Sequence, residues 1–196
     1  MSMRGVADFI GLGASSSPDL SVTSELLLRL APSANPAILA GIARGFDRLA
    51  QEHEIETRLR LCHFLAQAAH ETDGFRTLEE YGGAAYFLRY EGRRDLGNTQ
   101  AGDGLRYHGR GIFQLTGRAN YRRLSEILGI DLEADPERAK EPEISLAVAF
   151  AYWTEREINP AADADDLAQV TKLINGGRNG LAERTRYLER AKGLWV

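Results

Sequence analysis

The chain has 196 residues, enough for one domain with a substantial hydrophobic core, and its 43% apolar and 27% charged content is that of a soluble globular protein. A formal net charge of −4 supplies no basic field of the kind that gathers nucleic acid. One cysteine, Cys62, excludes an intramolecular disulfide, and no apolar run is long enough to insert in a membrane.

The opening MSMRGVADFIGLGASSS has one arginine and a short apolar run broken by Asp8. That is a poor secretory signal, and residues 1–20 are expected as a lead-in. Ser21 or Thr23 suits the N-cap of a short helix over 24–31, stopped by Pro32. Pro36 is placed as the first residue of a helix to about 51, with Ile38, Ile42, Phe46 and Leu49 on one face. A third helix is expected over 54–72. It is apolar nearly all round, through Ile55, Leu61, Phe64, Leu65 and Ala68, and such a helix is buried. Glu71 follows Phe64 by seven residues, so at about 100° per residue it points within roughly 20° of it. Glu71 therefore emerges on the buried side, where desolvation disfavours ionisation.

From 74 to 120 the helical period is lost, and glycines punctuate tyrosines 81, 86, 90, 107 and 121. A connection of this length without structure is usually functional, and a small hairpin is most plausible at 112–116. Helices resume at 118–128, closed by Gly129, and at 142–157 after the Asp135–Pro136 turn. Asp165–Asp166 opens another through Ile174, stopped at Asn175-Gly176-Gly177. The last spans 180–194, with a basic face of Arg184, Arg186 and Arg190. The pattern is that of a helix-rich domain around one central buried helix.

A carboxylate on a buried helix end, with another on the loop beyond, is what acid–base cleavage of a glycosidic bond needs. Glu71 is the candidate acid, and Glu79, Glu80 and Glu91 are candidates for the second carboxylate. In an inverting enzyme the pair stands roughly 6.5–9.5 Å apart with a water between. The stretch YHGRGIFQLTGRANY, 107–121, combines close-approach glycines with Arg110, Gln114, Thr116, Asn120 and two tyrosines. Planar amides and aromatic faces bind sugars, and Thr116 is placed to hold the attacking water. A glycine-rich structural turn accounts for the same residues equally well. No GK[ST] or GxGxxG ordering marks a phosphate loop. Four scattered histidines, 53, 63, 70 and 108, lack metal-ligand spacing, so no metal or cofactor is expected. Cys62 and His63 are read as core residues.

FLAQAAHETDGF, EYGG, YEGRRDLGNTQAGDGLRYHGRGIFQLTGRANY and TKLINGGRNGLAERTRYLERA resemble the family 19 glycoside hydrolases, most closely the bacterial and phage branch that includes endolysins. The likeness covers roughly 60–196 of a single domain, 1–196, of which 1–50 is less diagnostic. It implies a mainly α-helical, lysozyme-like fold with at most a small hairpin, a substrate cleft, and inverting hydrolysis of β-1,4-linked N-acetylated sugars. Glu71 falls on the family's general acid, and Glu80, nine residues later, on its base, with Glu79 adjacent. Thr116 matches the residue that holds the nucleophilic water. Gln114, Asn120 and Asn175 match cleft-lining positions, while His70, Tyr107, Arg110 and Arg184 match positions that support substrate binding. Ile112 replaces the proline of the plant-type GRGPIQL, and the plant disulfides are absent. The implied activity is cleavage of peptidoglycan by a monomer made in the cytoplasm and released to the wall through a holin. A chitinase and a weakly catalytic sugar-binding protein are the alternatives.

Overall fold

Residues 19–196 are described by the computed structural model; nearly all of the expected lead-in, with the signal question, lies outside the described residues. Side-chain caps set the helix starts. Thr23 accepts from the Leu26 amide to open α1 (Ser24–Leu30), and Asn35 accepts from Ala37 ahead of Pro36 to open α2 (Pro36–Glu52). The third helix, α3 (Arg58–Glu71), begins later than expected because Thr57 caps it. Glu54, at φ 57°, sits in a turn before it, so Ile55 is buried from that turn and not from the helix.

Every residue of α3 from Leu61 to Ala69 is buried. Its Phe64 ring meets Phe46, Phe113, Phe150 and Trp153 at centroid distances of 5.6, 5.6, 4.5 and 5.3 Å. These rings centre the main apolar cluster. A second cluster gathers Tyr107, Leu115, Tyr121, Leu124, Ile144 and Val148. The helix α7 (Pro142–Glu155) is apolar on all sides because it serves both: Leu146 and Phe150 enter the first cluster, Ile144 and Val148 the second.

The stretch between the clusters is not structureless, which corrects the reading of 74–120. It holds α4 (Ala84–Phe87), α5 (Asp103–Arg106) and 3₁₀ turns at Leu88–Tyr90 and Arg94–Leu96. One-turn helices show no period, and polar contacts organise this region. The Glu91 carboxylate accepts from the Gly102 and Gly104 amides, and buried Asp103 accepts from Thr99 and Gln100 while pairing with Arg118. The hairpin expected at 112–116 is reduced to a ribbon of isolated bridges, Glu79 with Arg110 and Arg110 with Leu115, turning through Gly111 (φ 80°) and Gln114 (φ 50°).

The remaining helices are α6 (Arg118–Leu128), α8 (Asn159–Asp163), α9 (Leu167–Asn175) and α10 (Leu181–Leu194). Gly129 and Gly176 close α6 and α9 in left-handed conformation, as the sequence indicates. The helix α10 packs along α3, and this removes Arg184 from the expected basic face: it is 1% exposed.

Candidate active site

Glu71 is the last residue of α3, and the Thr72 cap donates its hydroxyl to the Ala68 carbonyl at 2.6 Å while accepting from the Phe75 amide. The helix end is therefore fixed where the carboxylate leaves it. Arg184 donates from Nη2 to Glu71 Oε1 at 2.5 Å, from Nε to the Asn179 carbonyl at 3.1 Å, and from Nη1 to the Gln67 carbonyl oxygen. Gln67 in turn donates to Thr171 Oγ1 at 3.2 Å. The Glu71 carboxylate is therefore not alone at a buried helix end: it is held by a buried guanidinium that also binds Gln67 and the Asn179 carbonyl.

A groove of about 450 Å³ opens beside Glu71 along the seam between the two apolar clusters. Its wall carries Gln114, Thr116, Asn120 and Asn175, the polar side chains expected there, above apolar Phe113 and Val148. The ribbon sets their directions. Thr116 Oγ1 donates to the Gln114 carbonyl at 2.8 Å, and Asn120 Nδ2 donates to the Thr116 carbonyl at 2.7 Å. Arg123 and Arg156 also line the groove. A larger cavity, about 760 Å³, lies around Arg106, Tyr107, Arg118 and Glu133, but there Arg118 pairs with Asp103 and Glu133, and it contains neither Glu71 nor Thr116.

Three carboxylates competed for the second role, and their partners separate them. Glu91 caps loop amides. Glu79 lies 3.1 Å from His108 Nε2 and 3.2 Å from Lys140 Nζ. Burial opposes its ionisation, but the hydrogen bonds from His108 and Lys140 outweigh this and hold its carboxyl below the usual range. Among the described residues Glu80 has only neutral donors: the Tyr90 hydroxyl to Oε1 at 2.7 Å and the Gly109 amide to Oε2 at 3.1 Å. It stands outside the groove lining but is joined to it at Gly109. A Cβ on that glycine would sit 2.6 Å from Gln114 Oε1 and 3.0 Å from Glu80 Oε2, so a side chain there would have to displace both.

The other expected substrate residues divide. The His70 ring packs under Gly180 (φ 71°), with Nδ1 2.7 Å from Glu183, and so braces the 175–180 turn beside Glu71. Tyr107 and Arg110 do not face the groove, which corrects their placement as substrate contacts. Tyr107 is 1% exposed and donates to the Glu133 carbonyl at 3.1 Å. Arg110 is 3% exposed and donates to Glu137 at 2.5 Å and to the Arg106 carbonyl at 2.9 Å. Tyr107 is claimed by the second cluster, and Arg110 is held by Glu137 of the helical turn Pro136–Lys140, with its buried Nε left without a partner among the described residues. Sequence reasoning missed Gln67, Tyr90 and Arg156. Tyr90 had a visible signal, a tyrosine in a glycine-rich loop close to the acidic pair, but nothing in its spacing named a partner. Cys62 and His63 are buried, and burial pushes the Cys62 thiol up to about 11. Among the described residues no three metal-ligating side chains cluster.

Residues 35–177 match the family described as chitinase class I. A glycosyl hydrolase family 19 domain-containing protein of Haemophilus influenzae is 28% identical over 179 residues, covering 77% of this chain and 88% of that one. Endochitinase 1 of Theobroma cacao is 34% identical over 122 residues, covering 57% of this chain but only 38% of its own. The chain thus spans most of the bacterial relative and well under half of the plant one. Among solved structures, chitinase C from Streptomyces griseus HUT6037 shares the fold with a TM-score of 0.74 at 19% identity, covering 92% of this chain and 95% of that chain. A class IV chitinase from Zea mays does so with a TM-score of 0.67 at 21% identity, over 89% and 92%.

Proposed function

The chain belongs to the chitinase class I family, glycoside hydrolase family 19, and from that premise we propose that it cleaves β-1,4 linkages of N-acetylated sugars with inversion, peptidoglycan being its polymer. It is a glycoside hydrolase acting on a polysaccharide, so the binding-only alternative gives way. In this reading Glu71 gives its proton to the leaving oxygen as the C1–O bond breaks. Glu80 takes a proton from a water that Thr116 helps to hold, and the water oxygen bonds C1 from the opposite face. Gln114, Asn120 and Asn175 offer amides to the sugar N-acetyl and hydroxyl groups.

The observation that carries the choice of polymer is Arg156. Its guanidinium lies over the Tyr152 ring, 4.3 Å from the centroid, and Tyr152 is itself tied by its hydroxyl to the Ile174 carbonyl at 2.7 Å. Arg123, the other cation of the wall, is neutralised by Glu155, whereas Arg156 has no carboxylate within ion-pair distance among the described residues. A fixed, unpaired cation in the groove suits a glycan that carries carboxylates on its peptide stems. Chitin carries none. The second reading, chitin hydrolysis, is favoured by the endochitinases among the relatives and the chitinases among the structural neighbours. Release to the wall through a holin rests on the endolysin-like motifs alone.

Product analysis by mass spectrometry on purified peptidoglycan and on chitin oligomers, with Glu71→Gln as control, tests the proposal. Muropeptides with new reducing ends from the wild type alone are expected. Chitin cleavage with inert peptidoglycan would replace the first reading by the second, and turnover by Glu71→Gln would remove the mechanism.

A further inference from the structure

We propose that Tyr90 is the positioning residue of the base, a hydroxyl that fixes one oxygen of Glu80 so that the carboxylate presents a free lone pair to the nucleophilic water. The inference rests on the reading of Glu80 as base and goes beyond it by naming what holds that base.

Glu80 leaves the ribbon on a short bridged segment, with its amide bonded to the Gly109 carbonyl at 2.9 Å. Two donors from separate segments reach its two carboxylate oxygens, Tyr90 ten residues later and Gly109 twenty-nine residues later. One hydrogen bond alone leaves a carboxylate free to rotate about it; two donors on separate oxygens fix its plane. Each oxygen accepts more than one hydrogen bond, so capacity remains for a water proton.

Tyr90 is well placed to act as such a post. Its carbonyl accepts from Asn98 Nδ2 at 2.9 Å, and Asn98, fully buried, accepts from the Arg118 amide at 2.9 Å. Arg118 is the first residue of α6, two positions after Thr116. A continuous run of hydrogen bonds therefore ties Glu80 to the helix start that follows the water-holding threonine. The charged neighbour facing the Tyr90 ring is Arg89, 5.3 Å from the centroid, and Arg89 also covers Tyr86. Burial, together with the bond to Glu80, pushes the Tyr90 hydroxyl up to about 12. It remains a neutral donor at working pH and does not compete for the water's proton.

The test is Tyr90→Phe in the full chain, beside Glu80→Gln, on whichever soluble oligosaccharide the wild type cleaves, muropeptide strands or chitin hexamer. The ring packing is kept and only the hydroxyl is lost. We expect kcat to fall about ten- to a hundredfold, the worth of a hydrogen bond to a charged group, with KM within about twofold. Unchanged kcat, with Glu80→Gln inactive, would overturn the inference while leaving the base in place. A loss of kcat matched by a fallen melting temperature and an equal rise in KM would make Tyr90 merely structural, and overturns it too. Full activity in Glu80→Gln would instead remove the base assignment on which it stands.

Discussion

Arg184 donates to Glu71 across 2.5 Å, yet the two side chains differ in setting: Arg184 is 1% exposed and Glu71 18%. The cation belongs to the core between α3, α9 and α10, while the carboxylate reaches from that core into the groove. The catalytic end of α3 is therefore anchored by a residue 113 positions away, and the groove inherits its geometry from helix packing.

Loss of that anchor should cost both stability and activity. Arg184→Ala leaves Gln67 and Glu71 without their partner, and about 3 kcal/mol of stability should go with it. Arg184→Lys should recover little, since an ammonium cannot serve three acceptors in the plane of a guanidinium. Urea unfolding at pH 7 checks the first figure; a lysine variant with wild-type midpoint and turnover would contradict the account.

Thr116 separates a hydroxyl role from a backbone one. Its Oγ1 is oriented by the Gln114 carbonyl at 2.8 Å, so Thr116→Ser should stay within about tenfold of wild-type kcat and Thr116→Ala should lose about a hundredfold. Steady-state kinetics on a soluble oligosaccharide decide between these outcomes. Equal kinetics in all three proteins would show that the water is held elsewhere.

Arg156→Gln should act on one polymer only. On peptidoglycan fragments the loss of a partly solvated ion pair should raise KM about fivefold and flatten its dependence on salt. Neutral chitin oligomers should be cleaved as before. Parallel losses on both would return Arg156 to a packing role over Tyr152.

Acid stability should depend on Glu133. Hydrogen bonding from Arg122, joined by Arg118, holds its carboxyl down to about 2 against the opposing effect of burial, from an ordinary 4.5. The unfolded chain thus takes up this proton first as pH falls. The stabilisation is complete above 4.5 and drains away as pH falls through about 2. Melting temperatures of wild type and Glu133→Gln should differ most near neutrality and converge through that window.

Gly180→Ala should disturb the turn that faces Glu71. The residue has φ 71°, which costs an alanine about 1–2 kcal/mol, and the added Cβ would overlap the His70 ring. A lowered melting temperature with a larger fall in kcat is expected; a neutral substitution would mean that His70 moves aside freely.

Much of this was legible along the chain because it is local. Thr23, Asn35 and Asp166 bond amides two or three residues away, and Gly129 and Gly176 end helices by their own backbone freedom, so each is written within one turn of sequence. The motifs that hold Glu71, Thr116, Asn120 and Asn175, in that order, carried the resemblance to the family, and these four residues line the groove. Other features depended on the tertiary structure. Arg184 was placed on the basic face of α10 and, by resemblance, among residues that support the cleft; only the packing of α10 on α3 turned it inward onto Glu71. Tyr107 and Arg110 were placed in support of substrate binding by the family resemblance, whereas the second cluster takes Tyr107 and Glu137 takes Arg110. Tyr90 met Glu80 through turns too short to leave a period. The division has one physical cause. Caps and amphipathic faces depend on residues a turn apart, whereas the partner of a buried or half-buried polar group is decided by which helices pack together, and that pairing exists only once the chain has folded.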